Sequence, residues 1–219
     1  MIAYHFCFDL AHFGLASWNF YRDPFWLHAR TLILSSFLLL AGVSLVLADR
    51  AAMPARHFRM HVARIAACAL LVTLATWLVF PRSFIWFGVL HAIAVSLVLA
   101  RPVLCCPWLA FAIGVAVIAA GNLLASAAFD TPALGWIGFS THRPATEDYV
   151  PLFPWTGVVF VGVALGHALV ATRFAAVAPF ARTPRVLRRL GRHSLAVYML
   201  HQPILFAIAW GIAAGANLR

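Results

Sequence analysis

Three of the histidines in this 219-residue chain stand in apolar surroundings, where an imidazole is costly to keep without a use. His5 and Asp9 lie four residues apart in MIAYHFCFDL, one helical turn, so imidazole and carboxylate share a face. A carboxylate so placed orients an imidazole and stabilises its cationic form. His91 lies inside FGVLHAIAVSLVL, and His201 inside LGRHSLAVYMLHQPIL, beside the amide of Gln202. In this last stretch Ser194, Tyr198 and His201 follow the i, i+4, i+7 spacing of one helix face. Pro203 cannot donate to the carbonyl of Met199, so a kink and a freed acceptor are expected next to His201. The chemistry open to such groups is general acid–base or nucleophilic catalysis.

The elements that must position them are membrane helices. The chain is 64% hydrophobic and 10% charged, with a mean hydropathy of +0.92. A soluble domain carries roughly 25% charged residues. Apolar stretches at about 1–14, 26–48, 60–80, 83–100, 103–125, 152–172 and 192–214 read as seven helices. All but the first are long enough to cross ~30 Å of hydrocarbon at ~1.5 Å per residue. The expected fold is therefore all-α, a polytopic transmembrane helix bundle of about seven helices, forming a single membrane-embedded domain over 1–219. The first helix is short: from Met1 to Gly14 it spans about 21 Å. It is read as truncated, with an upstream segment carrying Arg and Asp expected before Met1.

The net charge of +10 does not point to nucleic acid, because the arginines sit between apolar spans. One set of connections holds Arg50, Arg56, Arg59, Arg101, Arg173 and the run from Arg182 to Arg192. The other holds Arg22, Arg82, Arg143 and Arg219 with five of the six acidic residues. The positive-inside rule then puts the first set, and the amino end, in the cytoplasm. On this reading His91, nine residues after Arg82, and His201, nine after Arg192, reach a similar depth. The four cysteines show neither metal spacing nor a disulfide framework. In the segment from Arg182 to Arg192, the cluster Arg188, Arg189 and Arg192 suits a polyphosphate cofactor or anionic headgroups. The connection from Ser126 to Val150 suits a lid or substrate platform. His12, Asp148 and Trp155 are the candidate substrate contacts at its rim and in the neighbouring loops.

The blocks MIAYHFCFDL, FGVLHAIAVSLVL, DYVPLFPWTG and LGRHSLAVYMLHQP, in this order, resemble the bacterial branch of the heparan-alpha-glucosaminide N-acetyltransferase catalytic-domain family. The resemblance covers most of the chain. It implies a membrane enzyme that takes an acetyl group from cytoplasmic acetyl-CoA to an acceptor, a sugar or glycan, on the far face. In related membrane acyltransferases the first helix ends in a catalytic His, and His5 is the matching residue. The lysosomal branch carries a His just before an Ala-Ser-Trp-Asn like Ala16 to Asn19; here that position is Leu15, and the nearest imidazole is His12. The family's Asp and Arg-Gly at the start of helix 1 are absent.

The sequence is thus read as an acyltransferase. His5 is the expected general base, oriented by Asp9, with His91, His201 and Gln202 along the path of the thioester. Arg188, Arg189 and Arg192 are the candidate cofactor contacts. Neither metal nor haem is expected, nor nucleic acid; membrane lipids are partners, and self-association is left open. The alternative is a small polytopic transporter or flippase built on the same polar interior.

Overall fold

The computed structural model describes residues 1–217, and within them not the side chains of 180–182 and 217. The side chain of Arg182 and all of Arg219, counted above among the flanking charges, lie outside the described residues. The described chain is all-helical, with no strand: α1 (Ile2–His12), α2 (Pro24–Arg50), α3 (Ala55–Val79), α4 (Val89–Ala100), α5 (Pro107–Leu123), α6 (Leu152–Ala171), α7 (Arg185–Arg192) and α8 (Ser194–Asn217). By length and composition α2, α3, α6 and α8 can each cross a membrane; α4 with its 3-10 extension, and α5, are shorter apolar helices. Leu32, Leu70, Leu78 and Trp108 present most of their surface outward. Lipid is the solvent that accepts such side chains, and helices are the elements that satisfy their own backbone there. This is an integral membrane protein.

Most helix ends shift by a few residues from the sequence reading, and three differences have a local reason. Helix 1 ends at His12 rather than Gly14, which takes a positive φ of 72°. Helix 4, expected from residue 83, begins only at Val89. The preceding residues spend their backbone groups elsewhere. Thr73 Oγ1 donates to the Ile85 carbonyl (2.7 Å) and the Ile85 N–H donates to Thr76 Oγ1 (3.0 Å). The carbonyls of Ser83 and Phe87 accept the N–H groups of Glu147 and Val150. Backbone held this way cannot close i to i+4 bonds, so the apolar pattern overruns the helix. The third difference is α7, which His193 (φ −110°, ψ 28°) separates from α8.

The chain divides into two compact units, Met1–Leu34 with Pro179–Arg219, and Ser35–Ala178. In the second, small residues set the helix spacing. A Cβ added to Gly157 on α6 would lie 2.5 Å from the Gly114 carbonyl oxygen of α5. One added to Gly42 on α2 would lie 2.8 Å from the Gly162 carbonyl carbon of α6. The buried hydroxyls of Ser96 and Thr156 meet at 2.9 Å and tie α4 to α6. Val46, Val159, Val163 and Leu97 fill the space between.

The long connection before α6 is folded by side chains rather than by helix. Tyr149 donates to the Gly135 carbonyl (2.6 Å), Ser140 to that of Phe129 (2.8 Å) and Thr146 to that of Phe84 (2.8 Å). Ser83 donates to Glu147 at 2.5 Å. In the first unit α1 lies against α8, and Tyr4, Phe8, Phe20 and Trp26 stack beside them, with Phe20 and Trp26 centroids 4.1 Å apart.

Candidate active site

Within the first unit, α1 carries His5 and Asp9 one turn apart, and α8 carries His201 and Gln202 as neighbours. Packing of α1 against α8 brings these four together. Gln202 Nε2 donates to Asp9 Oδ1 at 2.9 Å. The rings of His5 and His201 meet edge to face, with centroids 5.0 Å apart. Asp9 is 1% exposed and His201 8%, while His5 and Gln202 beside them are half-buried, so polar groups are held out of solvent at the centre of the cluster.

Hydrogen bonding decides which atoms remain available. His201 Nδ1 lies 2.6 Å from the Tyr198 carbonyl. A carbonyl only accepts, so Nδ1 carries the proton and Nε2 of the neutral ring is left with a lone pair. Gln202 must turn its amide nitrogen to the Asp9 carboxylate, which leaves Oε1 on the other side. Three buried atoms then have no partner: Asp9 Oδ2, His201 Nε2 and Gln202 Oε1. All three accept hydrogen bonds. A group that donates, such as an N–H or O–H, is what this cluster lacks, and the imidazole nitrogen among them can take a proton from it.

The arrangement departs from the sequence expectation in two respects. Asp9 reaches Gln202 across the helix pair and makes no hydrogen bond to His5 on its own helix. The carbonyl used by His201 is that of Tyr198, not that of Met199 freed by Pro203. Tyr198 lies with its ring 5.6 Å from that of His201, while Ser194 on the same face is exposed. His12 ends α1 exposed, its ring against Phe206 at 5.9 Å. Arg188, Arg189 and Arg192 are exposed on α7.

His91, Asp148 and Trp155 belong to the second unit. His91 falls in the first turn of α4 rather than in the middle of a span. The Gly88 N–H donates to its Nδ1 (3.3 Å), so the proton is on Nε2, which donates to Thr73 Oγ1 (3.3 Å); that hydroxyl donates in turn to the Ile85 carbonyl. Both ring nitrogens are thereby used in holding the start of α4. Asp148 Oδ2 accepts the Val89 N–H at 2.9 Å and caps the same helix from the loop. A side chain at Gly88 would put its Cβ 2.5 Å from that oxygen, so the Asp148 carboxylate would have to shift from the Val89 N–H to admit it. Trp155 is half-buried in the first turn of α6.

Sequence reading passed over Thr73 and Thr76. Their signal was present: two hydroxyls three residues apart near the end of an otherwise apolar helix. Among the described residues no group of three or more His, Cys, Asp or Glu side chains gathers as metal ligands do.

No curated protein matches the chain, and no solved structure does. One family model matches residues 1–203, a stretch that takes in α1, the unit around α4 to α6, and His201 with Gln202 on α8. A buried cluster of acid–base groups on membrane helices, carried by a chain matched over nearly its whole length, leads to one conclusion: the protein belongs to the heparan-alpha-glucosaminide N-acetyltransferase catalytic family of membrane acetyltransferases.

Proposed function

We propose that this protein moves an acetyl group from acetyl-CoA in the cytoplasm to an amine or hydroxyl of a sugar or glycan outside a bacterial inner membrane, its amino end facing the cytoplasm. The observation that carries this reading is the set of three unpartnered acceptors buried between α1 and α8. An acceptor sugar brings the N–H and O–H donors that such a set is missing.

His201 is then the base. Its Nε2 takes the proton from the acceptor's nitrogen or oxygen as that atom bonds to the acetyl carbon. The Nδ1–H bond to the Tyr198 carbonyl holds the ring in the tautomer that can do so and stabilises the cation that forms. As the carbon–sulfur bond breaks, the same Nε2 returns the proton to the departing sulfur, so the imidazole ends neutral. Acetyl-CoA supplies the acetyl group as a thioester. Asp9 Oδ2 and Gln202 Oε1 receive further donor hydrogens of the acceptor and fix its approach. His5, edge-on to His201, walls the base from one side.

The test is proteoliposomes holding the full chain, given labelled acetyl-CoA and a panel of amino and neutral sugars. Label should appear on a sugar and depend on His201. Movement of solute with no consumption of acetyl-CoA would overturn the reading in favour of a transporter.

A further inference from the structure

The segment from Arg185 to Arg192 takes no part in the site described above. As α7 it is a helix of eight residues, begun after Pro184 and ended at His193. Arg185, Arg188, Arg189 and Arg192 follow the i, i+3, i+4, i+7 spacing of one face. Val186, Leu187 and Leu190 lie on the other, and are 68%, 57% and 47% exposed. No residue of α7 is buried, so the described residues leave much of its apolar face uncovered. From Tyr149 to the end the sequence contains no Asp or Glu, so no acidic residue near in sequence neutralises the arginines. His193 joins α7 directly to α8, a helix long and apolar enough to cross the membrane.

We propose that α7 is an interfacial helix that docks on anionic phospholipid. Its continuity with α8 delivers it to the membrane surface. There Val186, Leu187 and Leu190 can enter the boundary of the acyl chains. The four guanidiniums then lie at headgroup level, where each pairs with phosphate oxygens in bidentate fashion. Charge complementarity selects the lipid: a zwitterionic surface offers the same apolar boundary without the net negative potential that attracts arginine. A polyphosphate ligand would engage the arginines but leave three large apolar side chains in water; a lipid surface accounts for both faces.

The experiment uses the full chain with Cys7, Cys68, Cys105 and Cys106 changed to Ser, and Leu187→Cys carrying an environment-sensitive fluorophore. The protein is reconstituted in vesicles of phosphatidylcholine, alone or mixed with phosphatidylglycerol, with part of the lipid brominated near the top of its chains. Phosphatidylglycerol should shift the emission to the blue and increase quenching by bromolipid, and added salt should weaken both changes. Changing the four arginines to Gln should abolish the response to phosphatidylglycerol, and changing them to Lys should keep much of it. A fluorophore that stays in water in both vesicles would overturn the proposal. So would an equal response in the Gln variant, or a response to free coenzyme A in phosphatidylcholine alone, which would make α7 a polyphosphate site.

Discussion

Gln202 on α8 donates to Asp9 on α1 at 2.9 Å, joining positions 193 residues apart at a carboxylate that is closed to solvent. Breaking this pair from one side leaves a buried carboxylate with neither oxygen matched, at about 1–3 kcal/mol. Gln202→Leu should therefore lower the midpoint of thermal unfolding in detergent. Asp9→Leu together with Gln202→Leu should recover much of the loss, because no orphaned polar group remains, while acetyl transfer stays absent. A double variant as unstable as the sum of the two singles would show that the pair is not coupled.

His201 and His5 lie with ring centroids 5.0 Å apart, and only His201 has its tautomer fixed by a backbone carbonyl. His201→Ala should lower turnover by about 10²–10⁴-fold, the usual contribution of a general base. His5→Ala should cost less. The double variant should be no slower than His201→Ala, since groups that act as a unit are not additive. Steady-state kinetics with saturating acetyl-CoA measures this, and His201→Ala at wild-type turnover would remove the residue from the mechanism.

His91 is expected to behave differently. Its two nitrogens are engaged by Gly88 and Thr73, so His91→Ala should cost stability, about 1–3 kcal/mol, more than turnover. Thr73→Val should act on the same network, and the two changes combined should cost less than their sum. Thermal unfolding of the four proteins closes the cycle.

Asp130 in the folded connection accepts the Thr141 hydroxyl at 2.6 Å and the Thr141 N–H at 2.7 Å. The Thr141 hydroxyl above all, with the neighbouring His142, holds its carboxyl below the usual carboxylate range. A group whose folded pKa is lowered stabilises above its unfolded pKa and loses that contribution as pH falls through the folded value. The protection of the segment 126–150 against hydrogen exchange, taken relative to the intrinsic amide rate at each pH, should therefore fall on acidification through and below the normal carboxylate range. In Asp130→Asn the segment should exchange faster at neutral pH, and its opening should no longer respond to that step.

Gly162 meets the backbone of α2 at Leu39, with 3.0 Å from an added Cβ to the Leu39 carbonyl carbon. The obstacle is backbone, which cannot rotate away, so Gly162→Ala should force α2 from α6. It should lower the unfolding midpoint far more than Ala at Gly211, where nothing lies within 4 Å.

The sequence by itself determined the solvent and the class of structure. Apolar runs of about twenty residues with arginine between them have one stable form in lipid, the helix, because every backbone group must be satisfied within its own segment. The same runs mark His5, Asp9 and His201 as anomalies, since a polar group there is costly. Helix ends were less legible. Residues 84–88 read as apolar helix, yet Thr73 and Thr76 on another helix and the loop at Glu147 to Val150 take their hydrogen bonds. Hydropathy carries no trace of such competition. Only the tertiary structure decided which polar groups meet. Asp9 and His5 share a helix face by spacing alone, but which atom a carboxylate contacts depends on what packs opposite, and α8 puts Gln202 there. Likewise two histidines that look equivalent in the sequence part company. The backbone near His91 satisfies one nitrogen and Thr73 the other, whereas His201 keeps Nε2 bare, because Nδ1 bonds back to its own helix.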